Sequence, residues 1–193
     1  MQDNHKKQLA DKLHSLYPLS PAALDAILSI TSELSVPRGS VVQAIGKSCK
    51  NLYFINKGSL RIFYYKDGID ITESFEFENS FVARGESLLT MKPSTKGIET
   101  IEDTELMVLY TPALFALFDK WVEVERMFSK IIEQAYIQLI NRMESIQFHT
   151  ANERYKMLLT ENPKAIQRIP LKYIASYLGI TQVSLSRIRA GQR

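Results

Sequence analysis

The sequence predicts an α+β protein: an antiparallel β-roll of the double-stranded jelly-roll kind with flanking helices, then a long helix and a small helical module. Three observations carry this reading. Between Val36 and Tyr110, short apolar segments are cut repeatedly by glycine and proline turns. From Pro112 the pattern changes to a helical period, and neither glycine nor proline recurs through residue 147. Near the C-terminus, Gly179 separates two short amphipathic stretches, the second of them basic.

The 193 residues, 45% hydrophobic and 23% charged, suit one large or two small globular domains and exclude low-complexity disorder or a collagen-like chain. The longest apolar runs, such as Leu106-Met107-Val108-Leu109, fall far short of the roughly 20 residues that span a bilayer. The N-terminus Met1-Gln2-Asp3-Asn4-His5-Lys6-Lys7 has no signal-peptide pattern. A lone Cys49 cannot form an intramolecular disulfide or supply a cysteine-only cluster. A cytoplasmic protein with no membrane partner is expected.

The first element is a short helix opened by Leu19-Ser20-Pro21. The Ser20 hydroxyl can cap it, and Pro21 at the first helical position forfeits no hydrogen bond. Leu24, Ile27, Leu28 and Leu34 supply its apolar side. Strands follow at Val41-Val42, Leu52 to Ile55, Leu60 to Tyr65, Ile71 to Phe81 and Ile98 to Tyr110. Asp67-Gly68 marks a tight hairpin turn, because both residues tolerate a positive φ.

A long helix is expected over 112–147. Phe128, Ile132, Ala135, Leu139, Met143 and Ile146 recur at steps of three and four, as in a coiled-coil seam. Trp121, Val124, Met127, Ile131 and Ile140 add a second apolar face. One face would meet the roll and the seam would meet a second copy of the chain; burial of a single broad face within one chain is the alternative. Thr150 and Glu153 then form a capping-box pattern at the start of the next helix.

Charge is divided unevenly. Residues 148–193 hold eight Lys or Arg against Glu153 and Glu161, a net +6, while the rest of the chain carries 16 basic and 19 acidic groups. A basic C-terminal module on a mildly acidic body points to a polyanion partner. Leu171 to Arg189 has the grammar of a helix-turn-helix. Ile174 and Leu178 form a buried i, i+4 pair, Ala175 permits a close crossing, Gly179 supplies the turn and Thr181 caps the second helix. Leu185 and Ile188 hold that helix down. Gln182, Val183, Ser186, Arg187 and Arg189 then face outward, where Arg187 can read guanine and Gln182 adenine. Thr181 and Ser184, with Lys172 on the helix before, can reach phosphates or base edges. A plain helical hairpin is the bland alternative.

Taken together, Leu52-Tyr53-Phe54-Ile55-Asn56-Lys57-Gly58-Ser59-Leu60-Arg61 and the stretch from Ile169 to Arg189 resemble the Crp/Fnr superfamily of bacterial transcription regulators. Glu153-Arg154-Tyr155 and Pro170 to Thr181 are most similar to its short Bacteroidetes members. The resemblance implies three regions: a cyclic-nucleotide-binding-like sensor roll with N-terminal helices over 1–111, a dimerisation helix over 112–147 and a DNA-binding module over 148–193. It also implies a homodimer on double-stranded DNA, reading a pseudo-palindrome through Gln182, Val183 and Arg187, with RNA polymerase as a further partner. Two departures stand out: Val183 replaces an acidic residue common in relatives, which implies a different operator, and the sequence given ends four residues after Arg189, without the usual wing.

In cyclic-AMP-binding members a Gly-Glu pair holds the ribose, and an Arg followed by Ser or Thr holds the phosphate. Gly85-Glu86 matches the first pair. The second place falls on Ser94, Thr95 and Lys96, with no arginine between Lys92 and Glu99. A lysine is a point charge and does not reproduce a guanidinium fork. Tight cyclic AMP binding is therefore not expected; another small effector is left open, and no cofactor or metal is implied. Residues 36–110 contain no histidine, which excludes a cupin-type metal enzyme. The two remaining readings are a DNA-binding regulator and a ligand-binding or interaction module whose helix-turn-helix no longer reads DNA.

Overall fold

Hydrophobic spacing and turn chemistry settle most elements of the computed structural model, which describes residues 2–163 and 165–191. Met1, Lys164, Gln192 and Arg193 lie outside the described residues, so two of the eight C-terminal basic groups are not placed. Helix α1 (Gln2–Leu16) buries Leu9 and Leu13 completely. Helix α2 (Pro21–Ser29) begins as its sequence dictates, with the Ala23 N–H donating to Ser20 Oγ at 3.3 Å and Pro21 in the first turn. It ends earlier than the apolar pattern suggests. Leu34 belongs not to the helix but to β1 (Thr31–Val36), where it pairs with Leu106 and packs between the sheets.

Seven further strands complete the roll: β2 (Val41–Gln43), β3 (Asn51–Lys57), β4 (Leu60–Lys66), β5 (Ile69–Glu76), β6 (Phe81–Val82), β7 (Gly97–Thr100) and β8 (Thr104–Tyr110). They form two antiparallel sheets, ordered β1-β8-β3-β6 and β2-β7-β4-β5. Tyr53, Ile55, Leu60, Ile62, Val82, Ile98 and Leu106 fill the space between them. The β4–β5 hairpin turns at Asp67 and Gly68, both at positive φ (52° and 77°), as the Asp-Gly pair requires. Helix α3 (Gly85–Thr90) crosses between β6 and β7.

The helix expected over 112–147 is two helices: α4 (Thr111–Ala116) and α5 (Val122–Phe148). Aromatic packing explains the break. Phe118 and Phe128 on one straight helix would sit about 15 Å apart along its axis, yet their ring centroids are 5.7 Å apart, and Phe115 lies 5.3 Å from both. The turn closes with the Trp121 N–H donating to the Leu117 carbonyl at 2.9 Å. Val124, Met127, Phe128 and Ile131 are thereby buried against α1, α2 and the outer face of the first sheet.

Four helices follow: α6 (Ala151–Glu161), α7 (Ala165–Arg168), α8 (Leu171–Leu178) and α9 (Gln182–Ala190). The capping box on α6 forms as expected, with Thr150 and Glu153 bonded reciprocally. Tyr155, Leu158, Ile169, Ile174, Leu178 and Leu185 make the core of this module, and Ile101, Phe75 and Phe77 of the roll pack against it. Helix α8 rests on β5. Ser176 Oγ donates to the Asp70 carbonyl (3.0 Å) and accepts from the Thr72 N–H (2.9 Å).

Gly58 and Gly179 both hold a positive φ, but only Gly58 is also crowded: a Cβ there would lie 2.5 Å from Thr104 Oγ1 and 2.9 Å from the Asp103 carbonyl oxygen, whereas Gly179 faces open space. Gly179→Ala should therefore cost about 1–2 kcal/mol, the left-handed penalty alone, and Gly58→Ala clearly more. Thermal melts of the two variants check this; equal losses would contradict the steric argument.

Candidate functional site

Gly179 ends α8 in the left-handed conformation (φ 69°, ψ 32°), and the Ile180 N–H returns to the Ala175 carbonyl at 3.0 Å. The turn delivers Thr181, whose Oγ1 accepts the Ser184 N–H at 3.1 Å and so opens α9. Leu185, 1% exposed, anchors that helix to the module core. Its opposite face carries Gln182, Val183, Ser186 and Arg187, all exposed, with Lys172 exposed on α8. Two of the expected contact residues are less free. Ser184 is partly covered, its hydroxyl 3.0 Å from that of Thr181. Arg189 does not face fully outward, because it is half-buried, and its charge acts on the Tyr155 hydroxyl. The nitrogen end of α9, the positive end of its dipole, is at the exposed Thr181–Gln182 corner.

A cavity of about 430 Å³ opens between the roll, α3 and α5. Gly85, Glu86 and Lys96 line it, as the sequence suggests; Ser94 and Thr95 do not. Ser94 is buried in a turn, its Oγ donating to the Lys96 carbonyl (2.7 Å) and accepting the Lys96 N–H (3.1 Å), while Thr95 points to solvent. The structure adds residues that the motif comparison missed. Arg84, Glu73 and Glu76 also line the cavity, and the first directly precedes Gly85 in sequence. The cations are already engaged: Lys96 Nζ pairs with Glu73, and Arg84 Nη1 lies 3.5 Å from the same carboxylate. Glu73 thus occupies from within the chain the charge an incoming anion would need.

Burial and the neighbouring Glu73 charge push the Glu76 carboxyl up to about 7, although the Ser74 hydroxyl and Arg84 act the other way. Cys49 is fully buried, and its Sγ accepts the Arg84 backbone N–H at 3.4 Å. On α5 the seam divides. Phe128 and Ile132 are taken up by the chain's own core, which removes Phe128 from any surface contact. Ala135, Leu139, Met143 and Ile146 are exposed, joined by Tyr136, Ile137 and Phe148.

Residues 33–120 match the profile of the cyclic nucleotide-binding domain family. No curated protein sequence matches the chain. Among solved structures, a protein assigned to the Crp/Fnr family from Eubacterium rectale is 20% identical, with 92% of this chain and 88% of that one covered at a TM-score of 0.71. FixK2 from Bradyrhizobium japonicum is 18% identical over 84% of each chain, with a TM-score of 0.72. CLP from Xanthomonas campestris, described as a c-di-GMP responsive global regulator, is 18% identical over 90% of this chain and 91% of that one, at 0.70. Residues 33–120 are therefore similar to the cyclic nucleotide-binding domain, and the chain shares the overall fold of these solved structures. No helix among the described residues is long and apolar enough to cross a membrane.

The raised Glu76 carboxyl fixes a sign. A group held above its unfolded value leaves the fold unpenalised below about 4.5, and the fold loses stability as pH rises through about 7. Glu76→Gln should therefore raise the melting temperature by a few degrees at pH 8 and by much less at pH 5. Thermal melts at the two pH values test this; an equal or reversed effect would contradict it.

Proposed function

We propose that the chain is a sequence-specific DNA-binding transcription regulator of the Crp/Fnr type, acting in the cytoplasm as a homodimer on a pseudo-palindromic operator, and that it is not an enzyme. The observation that carries this reading is the outward face of α9. Gln182, Val183, Ser186 and Arg187 stand free on a helix whose other side is pinned by Leu185, the first two at the exposed positive end of the dipole and Arg187 in the last turn. Arg187 supplies a bidentate donor for guanine, Gln182 a donor and acceptor for adenine, and Val183 a methyl contact for thymine. Lys172 and the N-terminus of α9 meet the phosphate backbone, and Arg189 adds positive charge behind them.

The exposed apolar stripe of Leu139, Met143 and Ile146 supports pairing of two α5 helices, with Tyr136, Ile137 and Phe148 widening the contact. On this reading the sensor is 1–111, pairing runs through the second half of 112–147, and DNA is read by 148–193. Internal neutralisation of Lys96 and Arg84 by Glu73 supports an effector cavity that holds cyclic AMP poorly and accommodates another small effector.

Fluorescence anisotropy with a duplex selected from random sequence tests the proposal. Wild type should prefer the selected duplex over scrambled DNA and weaken steeply with salt. Arg187→Ala should lose roughly 1–3 kcal/mol of that preference per half-site while retaining non-specific binding. Equal affinity of the wild type for both duplexes would instead support a module that no longer reads DNA.

A further inference from the structure

A second cavity, about 500 Å³, lies where the end of β5 meets the far half of α5, α6 and the last turn of α8. Its size falls within the roughly 300–1,000 Å³ of small-molecule sites. Two guanidiniums line it, Arg142 from α5 and Arg154 from α6. Both are held by backbone carbonyls. Arg142 Nη2 donates to the Tyr177 carbonyl at 2.6 Å and stacks 3.7 Å from the centroid of that ring. Arg154 donates to the carbonyls of His149 (2.5 Å) and Leu178 (2.6 Å).

Neither has the counter-charge its neighbours enjoy. Arg61 is paired with Asp70 and Glu99, and Arg168 with Glu78 and Glu102. Arg142 and Arg154 meet no carboxylate among the described residues, and Arg142 Nε and Nη1 and Arg154 Nε are buried with no acceptor. Desolvation, together with the charge of Arg154, lowers the Arg142 pKa from its ordinary value. Buried guanidinium hydrogens without acceptors are costly, and two unpaired cations side by side compound that cost. The nearby acids do little to relieve it: Glu73 acts on Arg142 but is paired with Lys96 and Arg84, burial pushes the Glu76 carboxyl up to about 7, Glu161 is exposed on the rim, and Glu78 is committed to Arg168. Part of the remaining wall is apolar, beside the polar Ser74, Ser80, Gln138, Asn141 and Asn162. Phe75 and Tyr177 pack with centroids 5.2 Å apart, and Phe77, Met157 and Leu158 continue the surface.

We propose that this cavity between the roll and the helical module binds a nucleotide-sized phosphate ester, its phosphate held by Arg142 and Arg154 and its ring against Phe75 and Phe77. A guanidinium pair offers charge-assisted donors to phosphate oxygens, and aromatic side chains take a planar ring without demanding hydrogen bonds. The binding claim stands apart from DNA reading. If the proposed regulator function also holds, occupancy would couple to DNA affinity, because the site joins β5 to α8.

Calorimetry on the full chain with adenosine and guanosine 5′-monophosphates and with pyrophosphate tests it. At least one nucleotide should bind at least tenfold more tightly than pyrophosphate. Arg142→Gln and Arg154→Gln should each weaken it tenfold or more, and Arg142→Lys should weaken it less than Arg142→Gln; circular dichroism shows whether each variant is folded. The Arg154 variant serves as the test should Arg142→Gln fail to fold. Absence of binding by all three probes at millimolar concentration would overturn the proposal. So would binding that survives both Gln variants, or binding lost on Lys96→Gln, which would place the ligand in the roll cavity instead.

Discussion

The apolar stripe on the second half of α5 has no cover among the described residues, while the first half of the helix is committed to the roll, and the rest of the arrangement follows from that division. Val124, Met127, Phe128 and Ile131 fix the helix against the outer face of the first sheet. That anchoring sets the direction in which Leu139, Met143 and Ile146 emerge and where α6 to α9 begin. It also makes α5 a wall of both cavities, since Gln138 and Arg142 line each of them. A change in either cavity therefore bears on the same helix.

The contact between α8 and β5 is built from polar groups as much as apolar ones. The Arg61 guanidinium is 2% exposed, holds Asp70 and Glu99, and lies 3.9 Å from the Tyr173 ring centroid. Burial alone would lower its pKa, but the two carboxylates more than offset this and raise it. Burial would likewise push Glu78 up, yet Arg168 and the Gly58 N–H bring it below the usual carboxylate range. Such pairs contribute little net stability against an apolar alternative, but they are costly to break singly. They favour one seating of the helical module on the roll, and α9 is left outside that seating with Gln182, Val183, Ser186 and Arg187 exposed.

Local chemistry made much of this legible in advance. The Ser20 cap, the Asp67-Gly68 hairpin, the Thr150 capping box and the left-handed Gly179 all depend on residues within four positions of one another, and all formed as their types require. The failures were long-range. Leu34 fits a helical stripe until its pairing with Leu106 across the sheet is known. The break before Val122 leaves no glycine or proline, because its cause is the meeting of Phe115, Phe118 and Phe128. Gly85, Glu86 and Lys96 were found by motif, but Glu73, which neutralises Lys96, lies 23 residues away in sequence on β5. The apolar seam on α5 was visible as a pattern; that its first member, Phe128, turns inward was not.

The central claim is that two copies of α5 pair through Leu139, Met143 and Ile146, so that two α9 helices address one face of a duplex. The stoichiometry of the complex tests this most directly. Sedimentation equilibrium with a duplex carrying two inverted half-sites spaced about one helical turn, roughly 10 base pairs centre to centre, should show two chains per duplex, bound together. Saturation at one chain per duplex, with the free chain monomeric at the same concentration, would contradict the account.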